Sequence, residues 1–383
     1  MSDRRKVGVI GAGLISQAMH LPHLALLRDR FELAVVADPS RTVRERVGDR
    51  FGIPARVATA SEAIAHPGLQ GVVVGTPNAT HASIVLEALA AGLDVFVEKP
   101  LAISLEDVDA IVEAQRASGR VVQVGYNNRF DRSYERLVSE LPGSVDGLRY
   151  VSVLMHDPEF GPYFGAEDLA RGSDVPADVI DQTRADEAAQ VKQAVGVDDD
   201  DSIVAFSGGF LGSLIHQVNM VHGMLERMGE PLPPAVTGGD AWAGGQALAG
   251  SARLSNGARW DSAWIQLLDM HEYEESIRLY FADAVRTLAI PSPWLRQSPS
   301  VYSITTAGDG GRRTARFESY EEAYQLELVH FHRCMLGAEE CRTPPAQARI
   351  DQVVLTEMFR KRDGAREPHG ARPRTGPGPG GPT

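Results

Sequence analysis

Lys6-Val7-Gly8-Val9-Ile10-Gly11-Ala12-Gly13-Leu14-Ile15-Ser16 decides the reading of this chain. Lys6 to Ile10 has the continuous apolar character of a strand buried on both faces of a parallel sheet. The turn after it needs a residue without a side chain at Gly11, to bend tightly. It needs another at Gly13, so that backbone N–H groups can approach a pyrophosphate. A helix opening near Leu14 and Ile15 points the positive end of its dipole at that phosphate. Ser16 stands where such turns usually carry a third glycine, and it is small enough for close helix–strand packing.

A second apolar strand, Phe31 to Ala37, ends in Asp38, 27 residues beyond Gly11. The usual interval is about 20. A carboxylate there accepts hydrogen bonds from the adenosine ribose and repels a 2′-phosphate, so NAD is favoured. Ser40 and Arg41 follow at once, and an arginine in that place can hold a 2′-phosphate, which leaves NADP as the alternative.

The chain has 383 residues, long enough for two domains, and 43% apolar content, enough for full-sized cores. Its formal charge of −13 argues against nucleic acid and anionic membranes, which reward clustered Lys and Arg. There is no apolar run of membrane-spanning length, and no signal-peptide core precedes the first strand. The two cysteines, Cys334 and Cys341, belong to no metal-ligand pattern and imply no disulfide framework. A cytoplasmic setting is expected, with no metal.

Strand and helix alternate to about residue 125. The expected strands after Asp38 are Arg56 to Ala58, Gly71 to Gly75, Leu93 to Val97 and Val121 to Gly125, with a helix opening at Ser61. This is the rhythm of a doubly wound parallel sheet with ligands at its C-terminal strand ends. Residues 1–125 form the predicted dinucleotide domain and 126–362 a second α/β domain. There, Leu148 to Met155 reads as a strand and 157–202 as an acidic, mostly helical insertion. A helix is expected from about Ser213 to Met228. An antiparallel sheet follows, from segments around Ala252 to Leu254, Ala258 to Leu268, Glu274 to Phe281, Val285 to Ile290 and Val301 to Thr305. Two helices, Tyr320 to Leu336 and Pro345 to Lys361, close the fold. The Gly-, Pro- and Arg-rich tail 363–383 reads as disordered.

Thr76-Pro77-Asn78 and His81 follow the Gly71 to Gly75 strand, where they face the nicotinamide half of a dinucleotide or cap the next helix. Glu98-Lys99-Pro100 ends the following strand. A lysine at the mouth of a buried parallel strand suits a substrate hydroxyl that must lose its proton during hydride transfer. Pro100 restricts this stretch, and a cis bond there would aim the lysine.

A glycine turn, then T-P-N-x-x-H, then E-K-P, then G-Y-x-x-R-F (Gly125 to Phe130), then an antiparallel domain resembles the Gfo/Idh/MocA family over nearly the whole chain. That family includes glucose–fructose oxidoreductase and inositol dehydrogenase. The segment from Ala323-Tyr324 through Glu327-Leu328 to His330-Phe331 fits it too. The resemblance implies an NAD(P)-dependent dehydrogenase or ketoreductase of sugars, cyclitols or polyols. It also implies a large open sheet in the second domain and a homodimer or homotetramer.

By this resemblance Lys99 is the active-site lysine. A second family motif, G-G then D-x-G-x-H then Asp or Asn, aligns with Gly208-Gly209, then Gly212 to His216, then Asn219. His216 and Asn219 fit, and their spacing places them on one helix face. The family aspartate is Gly212 here. The missing carboxylate leaves three readings. Lys99 and His216 act alone; or Asp157, Asp174 or Asp181 substitutes; or the dehydrogenase chemistry has been replaced, either by transient oxidation with recycled NAD or by non-catalytic nucleotide sensing. Lys99, Tyr126, Asn128, His156, His216 and Asn219 are the expected substrate contacts. Tyr163 and His271 are further polar candidates, and Arg129 is either a substrate contact or an inter-domain tie. Trp260 and Trp264, four apart in a strand, share a face and are expected in a core or subunit interface.

Overall fold

The Lys6–Ile10 run lies at the centre of a six-stranded parallel sheet. The computed structural model describes residues 3–158, 161–164 and 168–363; the predicted tail beyond Asp363 lies outside them. The strands are β1 (Arg5–Ile10), β2 (Phe31–Ala37), β3 (Ala55–Val57), β4 (Gly71–Val74), β5 (Asp94–Glu98) and β6 (Val122–Gly125). Their order is β3-β2-β1-β4-β5-β6, all parallel. The order reverses between β1 and β4, which opens a crevice at their C-terminal ends. The helix after β3 is capped at Thr59 rather than Ser61: Thr59 and Glu62 exchange hydrogen bonds in a capping box.

The second sheet has eight strands in the order β14-β13-β12-β11-β7-β10-β9-β8. They are β7 (Leu148–Asp157), β8 (Ala235–Trp242), β9 (Ala247–Arg253), β10 (Arg259–Gln266), β11 (Glu274–Phe281), β12 (Ala284–Ile290), β13 (Val301–Gly308) and β14 (Gly311–Glu318). Every pairing is antiparallel except β7 with β10. Side chains alternate across the sheet, so Val151, Val153, Met155 and Asp157 of β7 are buried on one face. Trp260 and Trp264 are buried as expected.

The helix expected from Ser213 is longer and irregular. A wide-turned π-helix runs Val204–Leu214 and continues as an α-helix over Ile215–Arg227. The closing helix Ala323–Met335 returns to the first sheet. Its Leu328 and Phe331 share a core with Val7, Val9, Phe31 and Phe96, and Arg5 Nη2 donates to Met335 O at 3.3 Å. Among the described residues no helix is long and apolar enough to cross a membrane.

Candidate active site

Two cavities meet at the C-terminal edge of the parallel sheet. The larger, about 870 Å³, is lined by Gly11, Gly13, Leu14, Asp38 and Pro77, and the smaller, about 310 Å³, by Glu98, Lys99, Asp157, His216, Tyr273 and Glu275. Both fall in the range of ligand sites. Ile15, Thr76 and Trp294 line both, so they mark the junction.

The larger cleft fits a dinucleotide. Gly11 has φ +86°, and a Cβ there would come within 2.6 Å of Gly75 O. At Gly13 a Cβ would meet nothing within 4 Å, so the backbone faces open space. Ser16 is buried and its Oγ donates to Gly11 O at 2.6 Å, which holds the turn. Asp38 accepts from Ala12 N at 3.0 Å and from Ser40 N at 2.9 Å. Each carboxylate oxygen keeps a lone pair for a ribose hydroxyl. Burial pushes the Asp38 carboxyl above its usual range against those two hydrogen bonds.

Ser40 and Arg41 do not line this cleft. Ser40 caps the Arg41–Phe51 helix, accepting from Val43 N at 3.1 Å, and is buried beneath Asp174. A residue spent on a cap and a side-chain partner is not free for a nucleotide, so the expectation for Ser40 is corrected. Arg41 points to solvent.

In the smaller cavity the Lys99–Pro100 peptide is cis. Lys99 Nζ donates to Gly212 O at 2.5 Å. Gly212 lies in the π-helix Val204–Leu214. The position where the family aspartate was expected therefore holds the lysine through its backbone. Burial lowers the Lys99 ammonium below its usual value, and the charges of Glu98 and Asp157 pull it back up. Glu98 sits 2.7 Å from His20 Nε2 in a buried pair. His81 packs its ring nitrogens 2.7 Å from Pro100 O and 2.9 Å from Thr76 O, tying the β4 and β5 loops together. Asn78 and His81 line this cavity and not the cleft.

Of the three candidate carboxylates, Asp157 is in the cavity. Its Oδ2 accepts from Trp264 Nε1 at 3.0 Å and Ser213 Oγ at 3.1 Å, and its buried Oδ1 has no partner. Burial raises its carboxyl against those donors. Asp174 lies at the adenosine end instead, and Asp181 is exposed. His216 is pushed down to about 3 by burial and by Lys99, so its imidazole is neutral and its Nδ1 is unpartnered.

Asn128 lines the cavity, as does its unexpected neighbour Asn127. Three other expected contacts fall elsewhere. Tyr126 is buried behind His216, its ring edge-on at 6.4 Å. His156 neighbours Asp157 on β7, and the two-residue period of a strand turns it to the opposite sheet face. Asn219 is buried against the closing Pro345–Arg360 helix, donating to Asp351 Oδ2 at 2.6 Å. Its side chain therefore meets the closing helix and not the cavity. Arg129 donates to Asn219 O at 3.3 Å and stacks over Tyr134, a packing role. Tyr163 packs in a small cluster with Met19 and Tyr324, and His271 is exposed.

Glu275 and Tyr273 of this cavity carry no mark among the sequence candidates. Glu275 on β11 accepts from Gln217 Nε2 at 2.7 Å and Tyr273 OH at 2.5 Å. Burial raises its carboxyl to about 7 against these two donors. The available signal was alternation: Glu275 shares parity with the apolar Ile277 and Leu279, which places it on the inward face.

Residues 5–126 match a family model described as oxidoreductase family, NAD-binding Rossmann fold. That model is the Gfo/Idh/MocA model, and the residues it matches are similar to the NAD-binding domain of that family. An inositol 2-dehydrogenase from Gluconacetobacter diazotrophicus is 34% identical over 164 residues, 42% of this chain and 48% of that protein. A myo-inositol 2-dehydrogenase from Thermotoga maritima is 24% identical over 58% of this chain and 71% of its own length. The chain spans about half the length of curated relatives such as the first. A 3-ketoreductase from Actinomadura kijaniata, solved with NADP, has a TM-score of 0.69 at 16% identity, covering 92% of this chain and 96% of its own. At that identity the likeness establishes the architecture of both domains.

Proposed function

We propose that this protein is an NAD-dependent dehydrogenase or ketoreductase acting on a carbinol carbon of a sugar, cyclitol or related polyol. The observation that carries the reading is the junction at Ile15, Thr76 and Trp294. It sets a dinucleotide cleft end to end with a cavity holding Lys99, Asp157 and His216. The inositol dehydrogenase relatives support the substrate class.

Bound NAD would supply the hydride acceptor, with Gly11, Gly13 and Asp38 holding its pyrophosphate and ribose ends. The chain's own residues manage the proton. Lys99, its ammonium destabilised by burial, takes the hydroxyl proton at Nζ while Gly212 O keeps the amine in place. Asp157 stabilises the ammonium that results. His216, neutral, fixes the substrate oxygen by a hydrogen bond. Asn127 and Asn128 offer further hydroxyl contacts.

The test is a fluorescence titration with NADH followed by a panel of cyclitols, aldoses and their keto forms. NADH binding with reversible nicotinamide reduction on one of them is the expected result. A second reading, transient oxidation with a retained cofactor, draws support from Val179, Ile180 and Thr183 of the Ala177–Val195 helix, which line the dinucleotide cleft. It predicts product without net NADH and deuterium exchange beside the oxidised carbon. Binding without any reaction defeats both.

A further inference from the structure

Residues 168–174 fasten to the dinucleotide domain at three points. Asp168 pairs with Arg46 at 2.8 Å, and its carbonyl accepts from Arg50 at 2.9 Å. Ala170 exchanges two hydrogen bonds with the buried Gln17 side chain, at 2.7 and 3.0 Å. Asp174 accepts from Ser40 Oγ at 2.5 Å and from Thr42 N at 3.0 Å. Gly172 makes the approach possible, since a Cβ there would collide with Ser40 Oγ. Val175 and the Ala177–Val195 helix then continue along the cleft.

The place of the third fastening matters. Ser40 and Thr42 come directly after Asp38, the acid at the ribose end of the cleft. A 2′-phosphate on that ribose needs hydrogen-bond donors and positive charge close to the end of β2. Asp174 has taken the Ser40 hydroxyl and the Thr42 amide. It also adds a second negative charge beside Asp38, near enough to raise that carboxyl further. Hydrogen bonds from Ser40 and Thr42 hold Asp174 itself down at about 2, so it is ionised at any working pH.

We propose that Asp174 is a cofactor-selecting residue. Its carboxylate occupies the donors a 2′-phosphate would use, so the cleft accepts NAD(H) and refuses NADP(H). The inference rests on the dinucleotide reading above, and goes beyond it by assigning the choice to a residue delivered from the second domain.

The experiment measures Kd for NADH and for NADPH by fluorescence in the wild type, Asp174→Ser and Asp174→Asn. Wild type is expected to prefer NADH by about a hundredfold. In D174S the preference should fall by about tenfold, the size of a single charge contact of about 1.4 kcal/mol, through tighter NADPH binding. NADH affinity should stay within about threefold, which also reports that the variant is folded. D174N keeps the shape and loses the charge, so its preference should fall by a smaller factor and decides the matter if D174S is unstable. A preference unchanged in the variants, or a wild type that binds both equally, overturns the role of Asp174. Binding of neither by the wild type overturns the dinucleotide reading and the inference together, so the two failures are told apart.

Discussion

The dinucleotide cleft and the cavity beyond it are built from different materials. In the cleft the backbone leads: a glycine at φ +86°, another open to the void, and one acid at a strand end. In the cavity the side chains lead. Lys99, Asp157, His216 and Glu275 come from four separate stretches, and each has a protonation balance displaced by burial. A phosphate site can be made from amides that need no tuning. A site that moves a proton uses groups whose protonation is displaced from the ordinary range, and burial supplies that displacement.

Lys99→Met is the largest way to sharpen this contrast. It removes the one lysine that lines the cavity among the described residues while sparing the glycine turn. Turnover should fall by about a thousandfold, the range for a lost general acid–base group. NADH affinity should stay nearly constant, read by the same titration. Retained turnover would take Lys99 out of the mechanism. A matching loss of NADH affinity would mean that the two cavities are one energetic unit.

Glu275→Gln comes next, and its readout is stability against pH. The Glu275 carboxyl sits at about 7 in the folded protein against 4.5 for the ordinary group. A raised carboxyl favours folding most below the unfolded value, and that contribution is lost as pH climbs through the folded one. Wild type should therefore lose about 3 kcal/mol from this group between pH 4.5 and pH 8. E275Q cannot ionise and escapes the loss. Denaturant melts of both proteins should converge at low pH and separate at high pH, the variant being the more stable. A constant difference across the range would show that Glu275 ionises as an exposed carboxyl does.

The same contrast explains what could be read in the sequence. The strand, glycine turn and Asp38 lie within one βαβ unit, so local spacing reveals them. Lys99 was visible as a charge at the end of an apolar strand. Asp157 stood among three unranked carboxylates, because only the pairing of β7 with β10 brings it to Trp264, and parallel register leaves no local mark. β14 escaped because every one of its residues is exposed, so it shows no alternation. β8 escaped for another reason. Its Gly238-Gly239 pair reads as a loop, yet a Cβ at Gly239 would strike the Met358 backbone of the closing helix. Asn219 was misplaced because shared helical spacing says nothing about which neighbour a face meets.

The finest test uses the two tryptophans of β10, which share a face and differ in what their indoles hold. Trp264 Nε1 donates to Asp157 Oδ2 at 3.0 Å, and Trp260 Nε1 donates to Ser262 Oγ at 2.8 Å. Both rings are buried, so either change to Phe leaves a similar gap in the core. Only Trp264→Phe removes a donor that holds the Asp157 carboxyl down against its burial. Its carboxyl should rise, and the acid limb of the turnover profile should move to higher pH. At neutral pH turnover should drop by roughly fivefold, the worth of one hydrogen bond of about 1 kcal/mol. Trp260→Phe should show a comparable loss of stability and an unmoved acid limb. If both variants shift the limb alike, core packing rather than the indole hydrogen bond sets the charge state of Asp157. If neither does, Asp157 carries no proton that the reaction depends on, and Lys99 with His216 is left to act alone.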